Sequence, residues 1–126
     1  MERNWDLIRE ILRILAKKSP DDYGKEFGLA HFTNNLPKEL SNEGLVRYHL
    51  DMMIEAGFIH GTKRADGCNT YYSISGMTWQ GQDLWSSIKE ISVWNKIKKY
   101  AKDKQVDLCF DAIKIIAPIV LQQILS

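Results

Sequence analysis

The sequence predicts an α+β chain in which helices flank one two-stranded β-hairpin and a strongly apolar helix closes the C-terminus. Three observations carry this reading. Apolar residues recur at helical spacing over 5–18 and 42–57, and aromatic and β-branched residues gather at 58–60 and 70–74. The third is the segment 110–125, which is apolar on nearly every side. At 126 residues the chain suits one domain with an appendage.

Residues 5–18 read as the first helix. Ile8, Ile11, Leu12 and Leu15 fall at i, i+3, i+4 and i+7, and Trp5, Leu7 and Ile14 widen the stripe. Asn4 is placed to cap it, Lys17 and Lys18 suit its negative end, and Ser19-Pro20 stops it. Over 21–40, Gly24, Gly28, Asn34-Asn35 and Pro37 break any helical pattern. There Phe27 to Phe32 reads as a short strand with Phe27, Leu29 and His31 on one face, and Pro37 to Leu40 as a stub at most.

Ser41 or Asn42 caps a second clear helix, with Glu43 in its first turn and Val46, Leu50, Met53 and Ile54 at helical spacing. Gly57 ends it by supplying a left-handed residue. Phe58-Ile59-His60 follows as a strand, and Thr70 to Ile74 is its return. Gly61 to Asn69 reads as the polar loop between them, with Lys63 and Arg64 at its tip. Thr78 caps a helix running to about Glu90, Ser92 a further one, and Phe110 to Leu125 is the last.

Composition narrows the functional classes. With 44% hydrophobic and 26% charged residues, four Trp, five Tyr and four Phe, the chain has ample material for a core, which excludes disorder. Cys68 and Cys109 lie far apart with no C-x-x-C pair, so neither a disulfide framework nor a zinc site is expected. The start, Met1-Glu2-Arg3-Asn4-Trp5-Asp6, lacks the apolar core of a signal peptide. No apolar run reaches the roughly 20 residues that span a bilayer, and Lys114 and Pro118 interrupt the nearest one. A cytoplasmic protein with no membrane contact is expected. A formal net charge of +1 announces no polyanionic partner by itself.

Helix, helix, then a hairpin with basic residues is the order of a winged-helix domain. The run Tyr48-His49-Leu50-Asp51-Met52-Met53-Ile54-Glu55-Ala56-Gly57-Phe58-Ile59 resembles the one that carries the recognition helix into the wing in ArsR-type repressors. Met77-Thr78-Trp79-Gln80-Gly81-Gln82-Asp83-Leu84 is similar to the segment after the wing in PadR- and MarR-type regulators. A longer succession comprises Trp5 to Leu12, Tyr48-His49-Leu50, Glu55-Ala56-Gly57, Met77 to Gly81 and Val93-Trp94-Asn95-Lys96-Ile97-Lys98. It resembles the bacterial and phage-associated family called domain of unknown function 2513. That resemblance implies a winged-helix-like fold and a mobile-element origin, and brings no catalytic residues. The expected architecture is a winged-helix-like domain over 1–90, with a C-terminal helical extension over 91–126 that packs on it or mediates dimerisation. Because 21–40 offers only a stub where ArsR-type regulators have a full helix, the helix-turn-helix half is expected to be remodelled.

Two functions stay open. In a DNA-binding regulator, Ser41, Asn42, Arg47, Tyr48 and Asp51 lie on the exposed face of the second helix, where Arg47 reads guanine and Asn42 adenine through bidentate edges. Lys63 and Arg64 contact phosphate or the minor groove. Against this, Glu43, Asp51 and Glu55 outnumber Arg47 over 41–56, and an acidic reading helix is a poor start for binding phosphates. The alternative is a winged helix that serves as a protein-interaction adaptor. A second basic feature, Lys89, Lys96, Lys98, Lys99, Lys102 and Lys104, reads either as a phosphate-tracking stripe or as the solvated face of an amphipathic helix. The C-terminal helix is too apolar to stand in water, so Ile113, Ile116, Ile119, Val120 and Ile124 are expected to form a homodimer interface, with packing inside the chain as the alternative. His31, His49 and His60 have no ligand or carboxylate at a meaningful spacing, so structural or surface roles are expected. No nucleophile triad, phosphate loop or carboxylate pair is present, so no enzyme, metal or cofactor is expected.

Overall fold

The computed structural model describes residues 1–126 as a mixed α+β chain with six α-helices and one two-stranded antiparallel sheet. It divides into two compact units, Met1–Gln82 and Asp83–Ser126. The first holds α1 (Trp5–Ala16), α2 (Leu29–Asn35), α3 (Glu43–Glu55), β1 (Ile59–Asp66) and β2 (Asn69–Met77). The second holds α5 (Ile91–Asp103) and α6 (Phe110–Leu125), and α4 (Trp79–Ile88) spans the division.

In the first unit α1 is the central post. Leu7, Ile8, Ile11, Leu12, Ile14 and Leu15 are all buried, and the helix contacts α2, α3 and β2. Asn4 caps it as expected, its side-chain oxygen accepting from the Leu7 N–H at 3.1 Å. Asn42 caps α3 in the same way, through the Leu45 N–H at 3.0 Å.

The expected strand at 27–32 is corrected. Only Phe27 pairs with the sheet, in an isolated antiparallel bridge with Ile74 (N–H···O 2.8 and 2.9 Å). From Leu29 the chain is helical, with Gly28 in the N-cap position, and Leu36, held extended before Pro37, stops it. A seven-residue helix that buries only Phe32 is too short to show a period, so its apolar residues read equally well as a strand.

The hairpin is also longer than its composition suggests. Pairing continues to Asp66↔Asn69, so most of the expected loop is ladder and the turn is Gly67-Cys68. Gly67, at φ 61°, supplies the positive φ that two-residue hairpin turns require at their first central position. A ribbon wetted on both faces carries polar side chains throughout, which is why it reads as loop. Opposite His60 and Gly61 a bulge leaves Ser75 of β2 without a cross-strand partner and bends that strand near the base of the hairpin.

The passage from α3 into β1 follows from backbone chemistry. Gly57 (φ 78°) donates to Ile54 O and Phe58 to Met53 O, the two bonds of a Schellman cap. The Phe58 carbonyl then accepts from the Thr78 N–H at 3.0 Å, and the Thr78 hydroxyl donates to Gly57 O. That hydroxyl also accepts from the Gly81 N–H at 3.0 Å, so Thr78 caps α4. Gly81 is obligatory here, because a methyl group on it would overlap the Phe58 carbonyl. At the other end of α4 the boundary differs from expectation: α5 begins at Ile91, with Glu90 in the cap position and Ser92 inside the helix.

In the second unit Val93, Trp94, Ile97 and Ala101 of α5 and Ile113, Ile116, Ala117 and Val120 of α6 are buried, and the two helices pack on each other. Three of the five residues expected at a dimer interface, Ile113, Ile116 and Val120, are thus covered within one chain, the alternative weighed from the sequence. Ile119 and Ile124 remain 37% and 41% exposed. No helix is long and apolar enough to cross a membrane.

Gly81→Ala is expected to lower stability by about 1–3 kcal/mol through overpacking against Phe58. Gly76→Ala, where the added methyl meets nothing within 4 Å, should be close to neutral by comparison. Thermal denaturation of the two variants checks this, and equal melting temperatures would refute the Phe58 contact.

Candidate nucleic-acid interface

Strand alternation decides which hairpin side chains can meet α3. Lys63 stands opposite Tyr72 and Arg64 opposite Tyr71, so the two cations point to opposite faces of the ribbon. Both lie below the turn rather than at the tip. Lys63 reaches Asp51 of α3 at 3.1 Å and sits 5.9 Å from the centre of the Tyr72 ring. Arg64, on the other face, stacks over Tyr71 at 5.8 Å.

Asp51 is therefore the joint between helix and hairpin. It accepts from Lys63 on one oxygen and from the Tyr72 hydroxyl on the other, at 2.8 Å. Burial, then the bond to Asp51, pushes the Tyr72 phenol up to about 12, so it stays a donor across any physiological range. Tyr72 is the residue the sequence reading missed as part of this site. Its only signal was its place two residues from Thr70 and Ile74 in an aromatic strand.

Arg47 lies one turn before Asp51 on α3, and its positive charge is felt at Tyr72. It forms no ion pair, and its Nε is buried without a hydrogen-bond partner. Asn42 lies exposed, but its carbonyl oxygen is engaged in capping, which leaves only its amide N–H groups for a base edge. Tyr48 is half-buried, edge-on to His49 with ring centres 5.4 Å apart. The structure thus brings Arg47, Asp51, Lys63 and Tyr72 together, and leaves Asn42, Tyr48 and Arg64 outside that cluster.

His49 is buried completely and is structural. Its Nε2 accepts from the Asn4 N–H at 2.7 Å, and its Nδ1–H donates to Leu45 O at 2.8 Å. Both bonds together require the neutral ring. Among other side-chain groupings, no cluster of three or more His, Cys, Asp or Glu could hold a metal. A cleft of about 220 Å³ between the end of α1 and α2 is lined by Arg13, Lys17, Lys18, Phe27, His31 and Asn35. Two of its cations serve the fold: Arg13 binds Glu10 and Asn35 O, and Lys18 donates to Lys25 O and Ser75 O.

Comparisons with known proteins bear on the whole chain. The family model described as "Hypothetical protein (DUF2513)" matches residues 2–107. A Haemophilus influenzae protein named "Uncharacterized protein" is 32% identical over 133 residues, covering all of both chains. No solved structure matches the chain.

Burial holds the His49 imidazole below its ordinary value of 6.5, and the bond to Leu45 O only partly opposes this. The unfolded chain therefore takes up the proton first. The His49 contribution to stability is complete above its unfolded value and is lost as pH falls below it. Melting temperature should decline from about pH 7.5 to about pH 5, and His49→Gln should flatten that slope while lowering stability overall. Parallel slopes in the two proteins would rule out His49 as the titrating group.

Proposed function

The chain belongs to the family described as "Hypothetical protein (DUF2513)", and from that premise we propose that it is a winged-helix protein that binds double-stranded DNA. The order α1, α2, α3, β1, β2 supports this reading, as does the Phe27–Ile74 bridge, which adds a second, single-residue pairing to β2. A major groove admits an α-helix, and α3 offers the candidate reading face. The hairpin, joined to it through Asp51, lies beside that face where backbone contacts set register.

The observation that carries the proposal is Arg47. No acid of the chain pairs its guanidinium, and because Nε itself is buried out of a ligand's reach, an acceptor would meet the terminal nitrogens. Guanine O6 and N7, or a phosphate, are acceptors of the right geometry. Asp51, which counts against DNA in a bare tally of charges, is already paired by Lys63, so its negative charge is largely answered within the protein.

A second reading, a winged helix that captures a protein partner, is favoured by two exposed aromatic rings. Tyr23 is 93% and Trp79 85% exposed, and such residues anchor protein interfaces.

Fluorescence anisotropy of a labelled random duplex separates the two. A protein that neutralises four phosphates loses roughly two orders of magnitude in affinity between about 50 and 200 mM salt. An Arg47→Ala, Lys63→Ala, Arg64→Ala variant should lose most of the binding. Absence of binding below about 100 μM at low salt would sink the DNA reading, since nonspecific affinities are typically far tighter.

A further inference from the structure

Charge is divided unevenly between the two units. Residues 1–82 hold ten Lys or Arg against eleven Asp or Glu, whereas residues 83–126 hold seven Lys against five acidic residues. Neutralising a polyanion therefore falls more naturally to the second unit, and its cations concentrate on α5. Lys98 lies against the Trp94 ring at 5.4 Å, and Lys104, just past the helix, against Tyr100 at 5.8 Å. Lys96, Lys99 and Lys102 are different: each is exposed and forms no ion pair.

These three stand opposite the buried Val93, Trp94, Ile97 and Ala101, on an outer face they share with Ser92 and Asn95. Their i, i+3, i+6 spacing puts Lys96 and Lys102 about 9 Å apart along the axis. Folding requires that this face be polar but gives no reason for three like charges in line on it. Like charges one turn apart repel, and the helix dipole favours cations only in the last turn, which accounts for Lys102 but not for Lys96 or Lys99. Asp103 is the one acid in the helix, at its final position.

We propose that the outer face of α5, Lys96, Lys99 and Lys102 with Ser92 and Asn95, binds the phosphate backbone of duplex DNA. The lysines release condensed counterions, and the Ser92 hydroxyl and Asn95 amide supply hydrogen-bond donors to phosphate oxygens. The contact is independent of sequence and does not require base reading by α3.

The test is the salt dependence of the full chain on a random labelled duplex. Each phosphate contact removed lowers the slope of log affinity against log salt by about 0.9. A Lys96→Gln, Lys99→Gln, Lys102→Gln variant should therefore have a slope shallower by two to three, and so lose about forty-fold less affinity than the wild type between about 50 and 200 mM salt. The Lys→Arg triple variant should keep the wild-type slope. An unchanged slope in the Gln variant, an equal loss in the Arg variant, or no binding of the random duplex by the wild type would each overturn the proposal. The α3 reading fails separately: it is lost if Arg47→Ala, Lys63→Ala, Arg64→Ala leaves affinity intact, whatever α5 does.

Discussion

The backbone of Phe58 is the point on which the first unit turns. Its N–H completes the cap of α3, its carbonyl receives Thr78, and the bare Cα of Gly81 lies against that same carbonyl. One peptide therefore fixes where α3 ends, where β1 begins, where β2 stops and where α4 starts. The hairpin's angle to α3 follows from this knot, and with it the meeting of Lys63 and Tyr72 with Asp51. Without it the Asp51 joint would have to order two mobile elements by itself, and an exposed ion pair contributes too little for that.

Much of this was legible in the sequence because it rests on local rules. Asn4, Asn42, Thr78 and Gly57 each do what their residue types do at helix ends, and the bounds of α6 follow from its composition. What failed to show depends on partners distant in the chain. The α2 helix has too few buried positions for periodicity, and Phe27 is an edge residue only because Ile74 offers it two hydrogen bonds. The hairpin's length is set by backbone pairing, to which hydropathy is blind. In α6 the sequence marks every apolar residue, but only packing decides that Ile113, Ile116 and Val120 are core while Ile115 and Leu125 face water. The candidate site was half legible: Arg47 and Lys63 are suggested by residue type, whereas Asp51 as the partner of Lys63 and Tyr72 as its donor emerge only from the register.

Basic residues in this chain serve two separate purposes. Arg13, Lys18 and Lys63 are held by carbonyls or carboxylates and act as struts, and Arg64, Lys98 and Lys104 lie along aromatic rings. Arg47, Lys96, Lys99 and Lys102, like Lys17 and Lys38 of the first unit, are held by no acid. A formal charge near zero thus hides a small set of uncommitted cations, and counting charges by unit and by partner separates them where the total does not.

His49 gives the first unit an internal reporter. The amide of a helix-capping residue normally exchanges with solvent quickly, because no carbonyl within its own helix receives it. Asn4 instead donates to a fully buried ring 45 residues away. Its exchange therefore requires that the start of α1 leave the buried ring on α3, not merely that a helix end lack an acceptor. One amide near the chain's start thus reports the contact between α1 and α3.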